Sequence, residues 1–232
     1  SSRPTTLAFV TLTDGQASYA FYDEQTAGRM LTEAELPAIP DLTQACFFGG
    51  ISLAVEPCAD AYAALVTRAS ADHLVMVDPN IRPGFIADDA RFRARMAGVF
   101  ARADIVKASD EDLRWIMGDD SLPKLADRLL NQGPALVLVT QGAQGVTAFW
   151  EGGELHAPAA EVQVADTVGA GDTFNAGFLA GLNDAGVLDK AQVRAGLAEH
   201  TLRDALTLGV KAAAVTVSRA GANPPRRDEL QP

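Results

Sequence analysis

Residues 164–177 read Val164-Ala165-Asp166-Thr167-Val168-Gly169-Ala170-Gly171-Asp172-Thr173-Phe174-Asn175-Ala176-Gly177. Gly169-Ala170-Gly171 leaves the backbone free to turn tightly, with nothing larger than a methyl group on it. Helical spacing follows at once and predicts a helix over 170–185. The first turn of a helix presents N–H groups without intrahelical partners at the positive end of the macrodipole, so the turn suits an anion. Asp172 falls within that turn. Two interpretations stand side by side. Asp172 complements the helix N-terminus in a glycine-rich corner, or it is a carboxylate that holds a hydroxyl beside a phosphate site.

Upstream of this turn, apolar runs without alternation lie at 46–48, 74–77, 105–106 and 136–139. Segments of helical period over 59–69, 90–101 and 122–130 separate them. That pattern predicts an α/β fold with a mainly parallel sheet, flanked by helices on both faces. Two stretches depart from it. Residues 7–12 and 17–22 are β-prone runs joined by Thr13-Asp14-Gly15-Gln16, and Asp-Gly between such runs signals a hairpin. A second hairpin is expected over 146–150 and 155–157, around Glu151-Gly152-Gly153-Glu154, and a second long helix over 191–208. No repeat, low-complexity tract or linker interrupts the chain, so residues 1–232 read as one domain with a small hairpin within 6–23.

Composition narrows the function classes. The chain has 232 residues, 48% apolar and 21% charged, which argues against disorder, collagen and coiled coil. The near-apolar run 135–139, like every other in the chain, falls far short of the roughly 20 residues of a membrane span. Ser1-Ser2-Arg3-Pro4 lacks the features of a signal peptide. A net charge of −11 repels nucleic acid and anionic membranes, and neither is expected as a partner. Cys46 and Cys58 form no CxxC pair, so reduced thiols in a cytoplasmic protein are expected. His73, His156 and His200 lack ligand spacing. No G-x-x-x-x-G-K-[ST] occurs, and no G-x-G-x-x-G opens a βαβ unit.

The string from Asp166 to Phe174 resembles the C-terminal signature of the ribokinase-like (PfkB) carbohydrate kinase family, and this favours the phosphate interpretation. The resemblance implies Asp172 as catalytic base and Gly169, Ala170 and Gly171 as the anion hole. Three further segments follow the family's order. Thr140-Gln141-Gly142-Ala143-Gln144-Gly145 resembles its nucleotide-contacting T-x-G-x-x-G. Lys107-Ala108-Ser109-Asp110-Glu111-Asp112 resembles its N-x-x-E, with Ser109 for Asn and Asp112 for Glu. Asp112 is thereby implied as a water-mediated Mg²⁺ contact, although Ser109 and Asp112 also fit a helix cap. Asp78-Pro79-Asn80-Ile81-Arg82 is similar to the D-P-N-x-R of the members that phosphorylate fructose or 2-keto-3-deoxygluconate.

The implied ATP contacts are Lys107, Ser109, Thr140, Gly142, Gly145 and Gly171. The implied substrate contacts are Asn80, Arg82, Tyr22 and Asp172. Residues 213–222 are similar to the family's loop that closes over the nucleotide, and Asp166 and Val168 match residues that cradle a monovalent cation such as K⁺ in some members. The hairpin resembles the family's lid, which implies a homodimer through it, with Leu7, Phe9, Thr11, Tyr19 and Phe21 on one apolar face. Asp23, beside Tyr22, is expected to repel an anionic substrate and so to favour neutral fructose. Family members open with a strand and a Gly-Gly sugar-binding segment. The chain opens in the hairpin, so it is expected to lack the N-terminal strands, and a non-catalytic nucleotide-binding piece stays an alternative.

Overall fold

The structure, a computed structural model, describes residues 1–13 and 16–230. Strands β1 (Leu7–Thr13) and β2 (Gln16–Tyr22) pair antiparallel as a separate two-stranded sheet. The main sheet has six strands in sequence order: β3 (Ala45–Gly49), β4 (Leu74–Asp78), β5 (Ile105–Ser109), β6 (Leu136–Thr140), β7 (Val146–Trp150) and β8 (Gly153–Ala157). β3 through β6 run parallel and β6 through β8 antiparallel.

Two layers of helices cover the sheet, and strand periodicity assigns the core to them. Val75, Val77, Val106, Val137 and Val139 point to one face. There they meet α1 (Cys58–Asp72), α2 (Asp89–Phe100), α3 (Asp110–Met117) and α4 (Leu122–Leu130), through Val66, Met96, Leu113 and Leu125 among others. Leu74, Met76, Ile105, Leu136 and Leu138 point to the other face. They meet α5 (Ala170–Asp184), α6 (Lys190–Ala195) and α7 (Glu199–Val217). Strands buried on both faces need no polar alternate, which is why their sequences are unbroken apolar runs.

α5 and α7 approach more closely than ordinary side chains allow. A Cβ on Gly181 would meet Ala205 Cα at 2.6 Å, and one on Gly177 would meet Gly209 Cα at 2.9 Å. No helix among the described residues is long and apolar enough to cross a membrane.

Three expectations are corrected. The helix expected over 191–208 is two helices, broken at Gly196, whose φ of +98° lies in the region glycine favours. Residues 213–217, read as part of a closing loop, are the last turn of α7, where Thr216 Oγ1 donates to Ala212 O at 3.2 Å and to Thr173 Oγ1 at 3.0 Å. In the hairpin, register pairs Leu7 with Tyr22 and Phe9 with Ala20, so Phe9 and Phe21 lie on opposite faces. Asp14 and Gly15 lie outside the described residues, as do the side chains of Thr11 and Tyr19.

Candidate active site

The parallel strands all end at one edge of the sheet, where open α/β sheets bind ligands. Asp78 closes β4 and Lys107 lies within β5. Counting by twos from Met76 and Ile105 puts both on the α5 face. They form a buried ion pair, Lys107 Nζ to Asp78 Oδ2 at 3.0 Å. Asn175, one turn into α5, donates Nδ2 to the same oxygen at 2.8 Å, while its own Oδ1 is buried without a partner among the described residues. Asp78 Oδ1 accepts the Asn80 N–H at 3.1 Å. The candidate ATP contact Lys107 and candidate substrate contact Asn80 therefore share one carboxylate. Asp78 and Asn175 were missed as site residues; strand parity and the leading Asp of the D-P-N-x-R run were their available signals.

Gly169, at φ +79°, caps α5 in the left-handed conformation, with no side-chain cap. The Ala170 N–H reaches Thr167 O at 3.3 Å, whereas those of Gly169, Gly171 and Asp172 have no protein partner among the described residues. The Asp172 carboxylate is exposed and likewise has none. Thr173 Oγ1 donates to Gly169 O at 2.8 Å and so fixes the turn. An anion binding here would meet three amides, the helix dipole and a neighbouring carboxylate.

Cavities flank this helix start on both sides. One of about 540 Å³ is lined by Thr140, Gly142 and Gly145 from the β6–β7 turn, Gly171 and Phe174 from α5, and Ala214 from α7. Its volume and apolar walls suit a nucleoside, with glycine backbone open to polar contact. Gly145 has φ +98°, and a Cβ there would lie 2.2 Å from Ala157 O. The second cavity, about 360 Å³, lies beside Asp172 and is lined by Thr173, Ala176, Pro224, Pro225 and Arg227.

Ser109 and Asp112 form a reciprocal cap at the start of α3: Ser109 Oγ accepts from Asp112 N at 3.0 Å, and Asp112 Oδ2 accepts from Ser109 N at 3.3 Å. Asp112 Oδ1 also accepts the Ile81 N–H at 2.9 Å, tying the cap to the D-P-N-x-R loop. Both oxygens keep lone pairs, which fits an ion held through water better than direct ligation. Among the described residues no cluster of three His, Cys, Asp or Glu could cage a metal.

Asp166 accepts from Val168 N at 3.0 Å and from Gly221 N at 2.9 Å. These backbone donors, Val168 first, hold its carboxyl below the usual carboxylate range. The loop after the sheet is thereby pinned to the turn after α7.

Arg82 is exposed, with its guanidinium bonded to Ile81 O at 3.1 Å. Phe85, just beyond it, meets Phe21 of the hairpin edge-on at 4.8 Å, so the hairpin rests on this loop. Tyr22 faces the other way, against Phe9 at 5.4 Å. Asp23 does not face the cleft with an unshared charge. It is buried, accepts Thr6 Oγ1 at 2.6 Å and Thr26 Oγ1 at 3.1 Å, and lies 3.8 Å from Arg29. Its charge is therefore drawn toward Thr6, Thr26 and Arg29, although Oδ2 accepts no hydrogen bond among the described residues. Cys58 is buried nearby, and burial first, then the charge of Asp23, pushes its thiol up to about 11.

A mainly parallel sheet covered by helices on both faces, with a hairpin against the loop at its C-terminal edge and an amide turn at the start of α5, is a ribokinase-like α/β fold. The chain belongs to the pfkB family of carbohydrate kinases, whose pattern it matches over residues 1–229. It is 49% identical over 202 residues to a fructokinase of Rhizobium leguminosarum bv. trifolii, covering 87% of this chain and 62% of that protein. A fructokinase of Xylella fastidiosa with bound ATP superposes with a TM-score of 0.80 at 26% identity, over 96% of this chain and 70% of the other. A double mutant of Vibrio cholerae O395 fructokinase, in a form with fructose, ADP and potassium ion bound, gives 0.80 at 23% identity, over 93% and 68%.

Proposed function

We propose that this site transfers the γ-phosphoryl group of ATP to a primary hydroxyl of a sugar, with fructose as the acceptor. One observation carries the reading: amides and an Asp172 carboxylate without partners among the described residues occupy a single helical turn. Phosphoryl transfer has a loose transition state, so positioning and charge stabilisation do most of the work. Asp172 takes the hydroxyl proton, and the Gly169, Gly171 and Asp172 amides of the turn receive the phosphoryl charge, the Ala170 N–H being held by Thr167 O. ATP lies along Thr140, Gly142 and Gly145 into the larger cavity, with Lys107 and Ser109 on its phosphate side. Mg²⁺ would neutralise phosphate charge, with Asp112 reaching it through water. A monovalent cation such as K⁺ would be held by the 166–168 loop that Asp166 pins. The fructokinases named above support fructose as acceptor.

Replacing Asp172 by Asn is expected to lower kcat at least about 10²-fold with ATP affinity nearly unchanged, as for loss of a positioned base. Turnover close to wild type would reduce Asp172 to a helix-capping role.

Arg82 favours a second acceptor, 2-keto-3-deoxygluconate. Its exposed guanidinium is available for a carboxylate, and Asp23 faces Arg29 at 3.8 Å. The sugar loop is expected to use Asn80 and Arg82, whereas Tyr22, an expected substrate contact, lies on the hairpin face turned away from that loop. Comparison of kcat/KM for the two sugars decides between them. Calorimetry showing Mg·ATP binding but no saturable sugar binding would instead make the chain a nucleotide-binding module.

The hairpin leaves Leu7, Phe9 and Tyr22 at 48%, 54% and 63% exposure. We place a homodimer contact on this face, since a two-stranded hairpin is marginal in water without a cover. Sedimentation of the wild type as a monomer at micromolar concentration would remove it. We place the protein in the cytoplasm, with Cys46 and Cys58 as free thiols.

A further inference from the structure

The buried cation beside the phosphate turn stands where electrostatics disfavours it. A Cβ on Gly171 would lie 3.2 Å from Lys107 Nζ, so the ammonium rests against the first turn of α5, the positive end of its dipole. A lysine that only held the fold together would gain from a helix C-terminus or from bulk water. Lys107 has neither, with 7% of its side chain exposed. Asp78 Oδ2 accepts one of its three N–H donors, and the same oxygen also takes Asn175 Nδ2. Asn175 Oδ1 is left without a partner among the described residues. The ammonium therefore keeps two N–H donors that no described residue accepts, and an anion arriving at the turn would accept them. Asn175 Oδ1, an acceptor, calls instead for a donor such as a hydroxyl.

We propose that Lys107 belongs to the phosphoryl-transfer machinery, its ammonium joining the Gly171 and Asp172 amides on the transferring phosphoryl group, with Asp78 and Asn175 as positioning residues. The proposal rests on the phosphoryl-transfer reading above. In the step, the bond from the γ-phosphorus to the β–γ bridging oxygen breaks, and its electron pair leaves with ADP. A bond from phosphorus to the acceptor hydroxyl oxygen forms, and the hydroxyl proton passes to Asp172. The three non-bridging oxygens carry the charge while both bonds are partial, and a buried ammonium stabilises it there at low dielectric.

Asp78 also joins the two halves of the site. Its Oδ1 holds the Asn80 N–H, and Asn80 has φ +41°, a left-handed conformation that Asn tolerates better than most residues. The carboxylate that aims the cation thus fixes the loop bearing Asn80 and Arg82.

The test compares binding of Mg·ADP alone with Mg·ADP plus aluminium fluoride, whose planar form mimics the phosphoryl group in flight. Wild-type chain is expected to prefer the fluoride complex. Lys107→Met is expected to lose at least about tenfold of that preference, in line with the roughly 10²–10³ that one oxyanion donor contributes to kcat. Its affinity for Mg·ADP alone should stay within about twofold, because a change of fold would weaken both ligands together. Lys107→Met leaves Asp78 buried without its partner, so the double variant Asp78→Asn/Lys107→Met, which removes both charges, is measured beside it. Asp78→Asn alone keeps the ammonium but loosens its aim, and should give a smaller loss. Retention of the full preference in either folded Lys107 variant overturns the proposal. No preference in the wild type overturns the phosphoryl-transfer reading itself, and this proposal with it, so the two failures are distinct.

Discussion

Two buried aspartates lie at opposite edges of the sheet, and their surroundings differ in how fully they are answered. At the N-terminal edge Asp104 accepts Val75 N at 2.9 Å, Lys190 Nζ at 2.8 Å through both oxygens, and Arg194 Nη1 at 2.7 Å. The Lys190 and Arg194 side chains keep 24% and 45% exposure, so their remaining donors reach water. At the C-terminal edge Asp78 and Lys107 are buried on both sides, at 5% and 7%, and a neighbouring amide oxygen is left over. The first cluster ties α6 to the strand ends. The second keeps ammonium donors free among the described residues for an arriving anion, because a buried donor without an acceptor costs free energy until one comes.

The contrast is broken most forcefully at Asp104. Asp104→Ala is expected to cost about 2–4 kcal/mol in urea unfolding, since it orphans a strand N–H and two cations, partly relieved by their exposure. The preference for aluminium fluoride over ADP alone should not change. At the other edge the same kind of surgery should do the reverse. Asp78→Asn/Lys107→Met should shift stability by no more than about 1 kcal/mol, because removing a buried pair as a unit is often nearly neutral. Equal stability losses at the two edges would erase the distinction.

A smaller probe lies between the helix turn and the cation. Gly171→Ala gains up to about 1 kcal/mol of helix propensity but sets a Cβ 3.2 Å from Lys107 Nζ. The flexible ammonium can retreat by a few tenths of an ångström, so net stability should move by less than about 0.5 kcal/mol, within the ordinary range for substitutions that break no buried contact. The retreat should still lower the fluoride preference severalfold. If Gly171→Ala binds both ligands as wild type does, the ammonium is too far from the phosphate to matter.

The smallest effect concerns pH and the tie at Asp166. Its carboxyl is held low by the Val168 and Gly221 amides, so this contribution is fully present above the unfolded carboxylate value near 3.9 and is lost as pH falls through the lower folded value. Protection of the Gly221 amide against hydrogen exchange should stay level from pH 7 to 5 and fall only below about 4. Asp166→Ala should lose that protection at pH 7.

Much of the fold is local in origin and was legible as such. The runs 74–77 and 136–139 are apolar on both strand faces and so announce a sheet covered on both sides. The helix over 122–130 is the observed α4. Gly169, Gly171 and Asp172 lie within four residues of one another, so the turn, its amides and its carboxylate follow from chain geometry alone. The Ser109–Asp112 cap is equally local.

Tertiary structure decided what depends on residues far apart in sequence. Lys107 and Asp78 are separated by 29 positions and Asn175 from Asp78 by 97, and only parallel pairing of β4 with β5 beneath α5 brings their polar atoms within 3 Å. Strand parity could place each of them on the α5 face but could not say that a lysine would meet the positive end of a helix. The hairpin's exposed face turned on its register, since a shift of one residue exchanges Phe9 and Phe21 between faces. Asp23 looked like a free charge beside a candidate substrate contact until Thr6, Thr26 and Arg29 closed around it. Periodicity and turn chemistry act over a few residues and can be read along the chain, whereas the pairing of a buried charge is settled only once distant segments have packed.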